Sequence, residues 1–178
     1  MGILKKVFLA LVIIIVVPLV IAAFTDKDYS VEREIVVNKP NQQVFDYIKS
    51  LKNQEKFSKW ASMDPHMQRF YSGTDGTVGF VAGWASDSAD VGVGEQEIMD
   101  IKEGARIDFA LRFKEPFESS DKAYMTTESV SADQTMVKWG FEGHMDYPMN
   151  IMLLFLDMEE ALGNDFSIGL ENLKSNLE

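Results

Sequence analysis

Apolar residues are distributed unevenly along this chain. The longest run without a charged residue covers residues 7–24 and follows the pair Lys5 and Lys6. Its length is at the lower end of what crosses a hydrocarbon core of about 30 Å. No face of the run is polar, so a buried core helix explains it poorly. Two interpretations stay open: an uncleaved membrane anchor, which we favour, and a signal sequence with a small-residue cleavage site at residues 20–22.

The charges on either side of this run orient it. Lys5 and Lys6 precede it and the acidic stretch TDKD follows it, so the positive-inside rule keeps the N-terminus in the cytoplasm. We predict a single-pass protein of the cell membrane, anchored through residues 3–24. Residues 25–178 then form one extracytoplasmic domain, because no repeat, linker or change in composition divides them.

The domain starts with one strand and two short helices. Alternating apolar and polar residues predict a strand at 30–37. The stretch NKPN breaks it, and Pro40 suits the first turn of a helix that contains QQVFDYIKSL. A second short helix is predicted at residues 53–60.

The rest of the domain alternates and then becomes helical. A two-residue period predicts six strands joined by short turns, which favours an antiparallel sheet. From Pro148 to the end the period is 3.6, which predicts one long amphipathic helix, kinked near Gly163. We therefore predict an α+β domain, a seven-stranded curved antiparallel sheet wrapped around the C-terminal helix. The six strands are at residues 67–72, 78–85, 94–102, 106–114, 122–131 and 136–144.

Charge and composition exclude several classes of function. The chain has 17 Lys and Arg against 28 Asp and Glu, a net charge of −11, which argues against binding nucleic acid. It has no cysteine, which excludes disulfides, thiolate zinc sites and thiol nucleophiles. Both lysines of the N-terminal pair lie before the apolar run, so the domain itself is more acidic still. We expect anionic headgroups to repel it, so that it does not lie flat on its membrane.

The element order, with VEREIVVNKPNQQVFDYIKSLKNQEKFSKW near its start, resembles the SRPBCC superfamily of helix-grip domains. This superfamily includes START lipid-transfer domains, birch-pollen-allergen-like proteins and polyketide cyclases/dehydrases. The turn YSGTDGTVG, the hairpin GVGEQEIMDIKEGARIDF and the final helix DFSIGLENLK are also similar. The resemblance covers about residues 29–178 and looks closest to membrane-anchored bacterial members. It implies a ligand-sized cavity under the long helix but no particular reaction.

The expected ligand is a small hydrophobic or lipid-like molecule, because apolar side chains on the sheet face methionines and a phenylalanine on the predicted helix. For each of these residues taken alone, packing in a solid core without a ligand is the simpler interpretation. Arg69, Tyr71 and Tyr124 are candidates for orienting a polar group of the ligand, whereas Arg106 and Arg112 are expected on the surface. The predicted cavity residues are Trp60, Tyr71, Trp84, Met99, Phe109, Leu111, Met125, Trp139, Met152 and Phe155.

Catalysis is the alternative. His144 with Glu142 or Asp146 could act in acid–base chemistry, as in a polyketide cyclase or dehydratase, although a solvent-facing side chain at a strand end is the simpler interpretation. The only other histidine is His66, in a predicted loop. No metal site or cofactor is expected, because the two histidines are separated by most of the sheet.

Overall fold

The structure is a computed structural model that describes residues 2–88 and 90–178. Within these residues, seven strands form one antiparallel sheet around a C-terminal helix, and an apolar helix precedes them. The predicted fold class is confirmed. The elements are α1 (Ile3–Phe24), β1 (Asp28–Val37), α2 (Asn41–Ile48), α3 (Leu51–Phe57), α4 (Lys59–Met63), β2 (Gln68–Ser72), β3 (Val81–Ala85), β4 (Val93–Lys102), β5 (Arg106–Glu115), β6 (Ser119–Ser131), β7 (Gln134–His144), a 3₁₀ helix (Met149–Leu154) and α5 (Met158–Leu177).

The strand order in the sheet is β1-β7-β6-β5-β4-β3-β2. Strands β2 to β7 follow one another as antiparallel neighbours, whereas β1 pairs with β7, the last strand. The start of β1 therefore lies beside the end of β7, where Asp28 is opposite His144. This edge of the sheet is the part of the domain that follows α1 directly.

One end of the space between sheet and α5 is solidly packed. The inward side chains there are fully buried, because alternate residues of each strand face the helix. Strand β3 is shorter than predicted, since Gly76 and Gly79 adopt positive φ in the preceding turn. The buried residues of the packed end include Val37, Phe45, Ile48, Ile107, Phe109, Met125, Val137, Leu170 and Leu173.

The prediction of one long helix starting at Pro148 was wrong. A 3₁₀ helix covers Met149–Leu154, and α5 begins only at Met158. The carboxylate of Asp157 caps α5 by accepting a hydrogen bond from the Glu160 amide at 2.9 Å. The helix then continues through Gly163, where a kink had been expected. The early apolar residues match the periodicity, but they lie outside α5, in and just after a 3₁₀ helix that contacts α1.

The region predicted as two short helices contains three. Ser50 caps α3 by accepting a hydrogen bond from the Asn53 amide at 3.2 Å. Ser58 has an extended backbone and ends this helix before α4 begins. This break turns Trp60 toward the interior, where it contacts aromatic residues of the sheet and α5.

Helix α1 differs from all other elements because no charged residue follows Lys5 and Lys6 in it. The mean hydropathy of an 18-residue stretch within it is 3.3, and by length and composition the helix could cross a membrane. Only Ala22 is buried among its residues. The helix touches the rest of the protein at its C-terminal end, through the 3₁₀ helix Met149–Leu154.

Candidate ligand cavity

A cavity of about 420 Å³ lies between the sheet and the first half of α5. It occupies the end of the sheet where β1 starts, while the opposite end is the packed core described above. Tyr29 on β1 and Met158 at the start of α5 both line it. The cavity is therefore on the side of the domain that follows α1.

Aromatic rings form much of the cavity wall. Trp139 stacks on Phe166 with ring centroids 4.9 Å apart, and Trp60 meets both rings edge-on at 6.1 and 5.5 Å. Trp84 and Phe113 make another edge-on pair at 5.9 Å. Edge-on and offset stacking are the favoured arrangements of such rings. The three tryptophans of the chain all line this cavity.

Several polar side chains interrupt the apolar wall, and four of them form two pairs. The Gln96 amide donates a hydrogen bond to the Gln54 side chain at 3.0 Å. Arg69 forms an ion pair with Glu55 at 3.0 Å and donates a hydrogen bond to the Ala61 carbonyl at 3.1 Å. Each of these four groups thus has a partner within the protein, and of the four only Gln54 is buried.

Asp121 is an inward-facing carboxylate in the cavity wall and is only 7% exposed. It accepts hydrogen bonds from the Ser119 hydroxyl at 2.8 Å and from the His144 amide at 3.1 Å. Among the described residues no Lys or Arg forms an ion pair with it. Burial, and then the charge of Asp121, raise the pKa of Tyr29 to about 12. The phenol of Tyr29 therefore remains protonated at neutral pH and can donate a hydrogen bond.

The structure brings four of the ten predicted cavity residues into the lining: Trp60, Trp84, Leu111 and Trp139. Phe109 and Met125 do face α5, but they are fully packed in the solid core. Alternation along a strand identifies the inward face but not which part of that face is hollow.

The other four predicted cavity residues lie outside the lining. Met99 is exposed because the register of β4 and β5 shifts there, which turns its side chain to the outer face. Tyr71 is also exposed, and its hydroxyl donates a hydrogen bond to Glu55 at 2.7 Å. Met152 and Phe155 precede α5 and are exposed beside α1. These four residues correct the sequence prediction.

Of the three polar candidates, only Arg69 lines the cavity. Tyr124 lies on the outer face of the sheet, where its hydroxyl donates a hydrogen bond to Glu32 at 2.6 Å. Arg106 stacks over that ring at 4.1 Å, and Arg112 pairs with Glu95 at 3.2 Å. Both arginines therefore lie on the outer face, where the sequence predicted them.

The sequence prediction missed Asp121, Gln54 and Tyr29. Asp121 could have been found from the sequence, because it alternates along β6 with Ala123 and Met125 on the inward face. A charged residue in an apolar phase of a strand is uncommon without a specific role. Gln54 offers no such signal, because its burial depends on how α3 packs over the sheet.

His144 lies outside the cavity lining. Its Nδ1 is 2.6 Å from Asp28 and its Nε2 is 3.4 Å from Asp146, with the side chain 47% exposed. The hydrogen bond to Asp28 is the main reason that the pKa of His144 is raised. His66 is in a loop, where its amide bonds to Asp64 at 2.9 Å. No cluster of three metal-binding residues occurs in the part of the chain that the structure describes.

No family model and no curated protein matches this sequence. Solved structures do match it. A protein from Nitrosospira multiformis has a TM-score of 0.58 at 17% identity, over 84% of this chain and 97% of that chain. The Aha1 dimer from Colwellia psychrerythraea has a TM-score of 0.57 at 12% identity, over 84% of this chain and 96% of that chain. A hypothetical protein from Helicobacter pylori has a TM-score of 0.61 at 15% identity, over 85% of this chain and 89% of that chain. The shared feature is a helix-grip fold.

Proposed function

We propose that this protein is a membrane-anchored, extracytoplasmic helix-grip domain that binds a small hydrophobic or lipid-like molecule between its sheet and α5. The observation that carries the proposal is the aromatic cavity of about 420 Å³. Its volume lies within the range of about 300–1,000 Å³ typical of small-molecule sites. A wall of tryptophan and phenylalanine rings with few polar groups favours an apolar ligand.

The polar groups of the cavity narrow the class of ligand. The charge of Glu55 is compensated by Arg69, whereas the hydrogen-bond donors of Asp121 within residues 2–88 and 90–178 are neutral. A carboxylate on the ligand would be repelled by Asp121 in an environment of low dielectric constant. The proposed ligand therefore has an apolar body and a neutral or cationic polar group.

The membrane part of the proposal rests on α1 and its flanking charges. Its hydropathy and length fit a membrane span, and Lys5 and Lys6 near the start of the helix favour a cytoplasmic N-terminus. The cavity end of the domain is joined to this helix by only a few residues, 25–27. A ligand taken from the membrane would therefore have a short way to the cavity.

Intrinsic fluorescence provides the test, since each tryptophan of the chain lines the cavity. The full chain in detergent micelles is titrated with the methyl ester of a brominated fatty acid, because bromine quenches tryptophan at short range. We expect saturable quenching. Ala123→Leu, which adds volume to the lining, should abolish it, whereas Ala110→Leu on the outer face of β5 should not. Equal, non-saturating quenching in all three proteins would refute the proposal.

A cyclase-type reaction with His144 as its acid–base group receives no comparable support. The imidazole is 2.6 Å from Asp28 on the surface, and only the backbone amide of His144 reaches the cavity carboxylate Asp121. A general acid or base must come within hydrogen-bonding distance of the substrate.

A further inference from the structure

Residues 147–156 form an apolar surface beside the end of α1. No charged residue occurs in this stretch, although Asp146 and Asp157 enclose it. Phe155 is 81% exposed, and Phe24 at the end of α1 is 88% exposed. Large exposed apolar patches on a soluble domain mark contact sites. The other exposed apolar side chains of the stretch are Tyr147, Met149, Met152, Leu154 and Leu156.

Asn150 attaches this stretch to α1. It is fully buried, and its amide donates hydrogen bonds to the carbonyls of Ala22 at 2.7 Å and Thr25 at 2.9 Å. The last carbonyls of a helix lack partners within the helix. A side chain from a distant part of the chain thus adds a donor to the Thr25 carbonyl and a second donor to the Ala22 carbonyl, which also accepts from the Thr25 amide at 3.3 Å, and it holds residues 147–156 level with the end of α1.

We infer that residues 147–156, the interfacial segment, insert into the outer surface of the bilayer that α1 crosses. This inference rests on the proposed membrane-spanning role of α1. If α1 spans the membrane, Phe24 lies at its outer boundary, and the hydrogen bonds of Asn150 hold the segment at the same level. The apolar surface of the segment adjoins that of the helix, which favours the bilayer over a separate protein partner.

The contact is apolar rather than electrostatic. The domain carries an excess of acidic residues, which repels anionic headgroups, but the interfacial segment itself is uncharged. Burial of exposed side chains such as Phe155 contributes roughly 25 cal/mol per Å² of apolar surface. The domain therefore rests on the membrane through this one segment, and the contact depends only weakly on salt. The sequence alone predicts only that the acidic domain does not lie flat on its membrane.

This orientation also points to an entrance for the ligand. A second, open cleft of about 700 Å³ lies between the interfacial segment, the start of β1 and the end of α1. Tyr29 and Met158 line both this cleft and the aromatic cavity. The cleft is therefore the membrane-side entrance, with these two side chains between it and the binding site.

An ion pair joins β1 to α5 beside this entrance, which Glu159 lines. Arg33 on β1 pairs with the Glu159 carboxylate and donates a hydrogen bond to the Glu159 carbonyl at 2.9 Å. These bonds hold the first turn of α5 against β1. An apolar molecule from the outer leaflet would pass between β1 and α5 beside this pair.

Single-cysteine labelling tests the membrane contact directly, because the native chain has no cysteine. Phe155→Cys in the full chain is labelled with the fluorophore NBD and placed in phosphatidylcholine nanodiscs. The matched control is Val130→Cys, an exposed apolar position near the β6–β7 turn, at the packed end of the domain. We expect blue-shifted emission at 155, quenched by lipids that carry a nitroxide near the headgroup, and neither effect at 130.

Two results would overturn the contact. One is a label at 155 as hydrated as the label at 130. The other is a label at 155 that is protected but insensitive to nitroxide lipids, which would mean that a second copy or another protein covers the segment.

The rate at which the brominated ester reaches the aromatic cavity tests the proposed entrance. Donor vesicles of phosphatidylcholine deliver the brominated ester to the full chain in acceptor nanodiscs, and tryptophan quenching is followed over time. Leu154→Ser with Phe155→Ser should slow filling several-fold while leaving equilibrium quenching in micelles unchanged. Equal filling rates would refute the entrance. If the wild-type chain shows no saturable quenching, the proposed ligand site fails, while the labelling result still decides the membrane contact.

Discussion

The side-chain amide of Asn150 donates a hydrogen bond to the carbonyl oxygen of Ala22, 2.7 Å away, across a separation of 128 residues in sequence. A second bond from the same amide reaches the Thr25 carbonyl at 2.9 Å. Asn150 is fully buried and Ala22 nearly so. This contact links the end of the apolar helix to the segment before α5, and it determines how the domain sits relative to α1.

Replacement of this amide should destabilise the junction. In Asn150→Ala the Thr25 carbonyl loses the Asn150 donor and the Ala22 carbonyl keeps only the longer bond from the Thr25 amide at 3.3 Å, which we expect to cost about 1–3 kcal/mol. Thermal unfolding of the full chain in micelles should shift down by roughly 2–4 °C per kcal/mol. Asn164→Ala, on the exposed face of α5, is the matched control and should leave the midpoint close to that of the wild type. Equal midpoints for the two variants would contradict the role of Asn150.

The pair of His144 and Asp28 predicts a dependence on pH. The hydrogen bond with Asp28 raises the pKa of His144 above its ordinary value of 6.5. The contribution of this pair to stability is therefore fully present below about pH 6.5, and it is lost as the pH rises through the raised pKa. Asp28→Asn should bring the pKa back toward 6.5. The imidazole resonance, followed by NMR in a His66→Gln background, measures it, and an unchanged titration in Asp28→Asn would show that Asp28 is not the cause.

Asp121 should discriminate between ligands by charge. We expect the wild-type chain to bind a brominated methyl ester more tightly than the corresponding carboxylate at neutral pH. Asp121→Asn should reduce this preference by roughly fivefold to tenfold, equivalent to about 1–1.4 kcal/mol. Asp100→Asn removes the same charge on the outer face of β4 and controls for the net charge of the domain. Equal effects of the two variants would mean that the wall carboxylate has no specific role.

Gly169 allows α5 to approach Trp139 closely. A β-carbon at this position would lie 2.8 Å from the Trp139 ring, so Gly169→Ala should move the ring against Phe166. The higher helix propensity of alanine, worth about 1 kcal/mol, works against the cost of overpacking, about 1–3 kcal/mol. We expect a changed near-ultraviolet circular dichroism spectrum and a lower unfolding midpoint. Ser175→Ala, exposed on the same helix, should change neither, and an unaltered spectrum in Gly169→Ala would count against the close packing.

Much of the fold was predictable because its signals are local. The two-residue period of β5 puts Ile107 and Leu111 on one face whatever surrounds them, and the structure has them there. The turns between strands are short, and glycine at positions such as Gly104 supplies the positive φ that they require. The elements from β1 to β7 accordingly differ from their predicted bounds by only a few residues, apart from the shortened β3 and the third short helix. The apolar residues 7–24 were equally evident, since a membrane-length run depends on composition alone.

The position of the cavity depends on distant contacts instead. One extra residue at Met99 turns its side chain outward, and this bulge depends on how β4 pairs with β5. Phe109 and Leu111 share a face of β5, yet only Leu111 borders the cavity, because the core is filled from the other end of the sheet.

By itself the sequence determined an α+β helix-grip domain, its acidic character and the apolar helix before it. These properties follow from the order of residues over a few turns or strands. Only the tertiary structure decided that residues 147–156 leave the α5 stripe and pack at the end of α1. Apolar periodicity shows that a surface will be covered, but it does not show which part of the protein covers it. The partner is set by long-range contacts such as the two hydrogen bonds of Asn150.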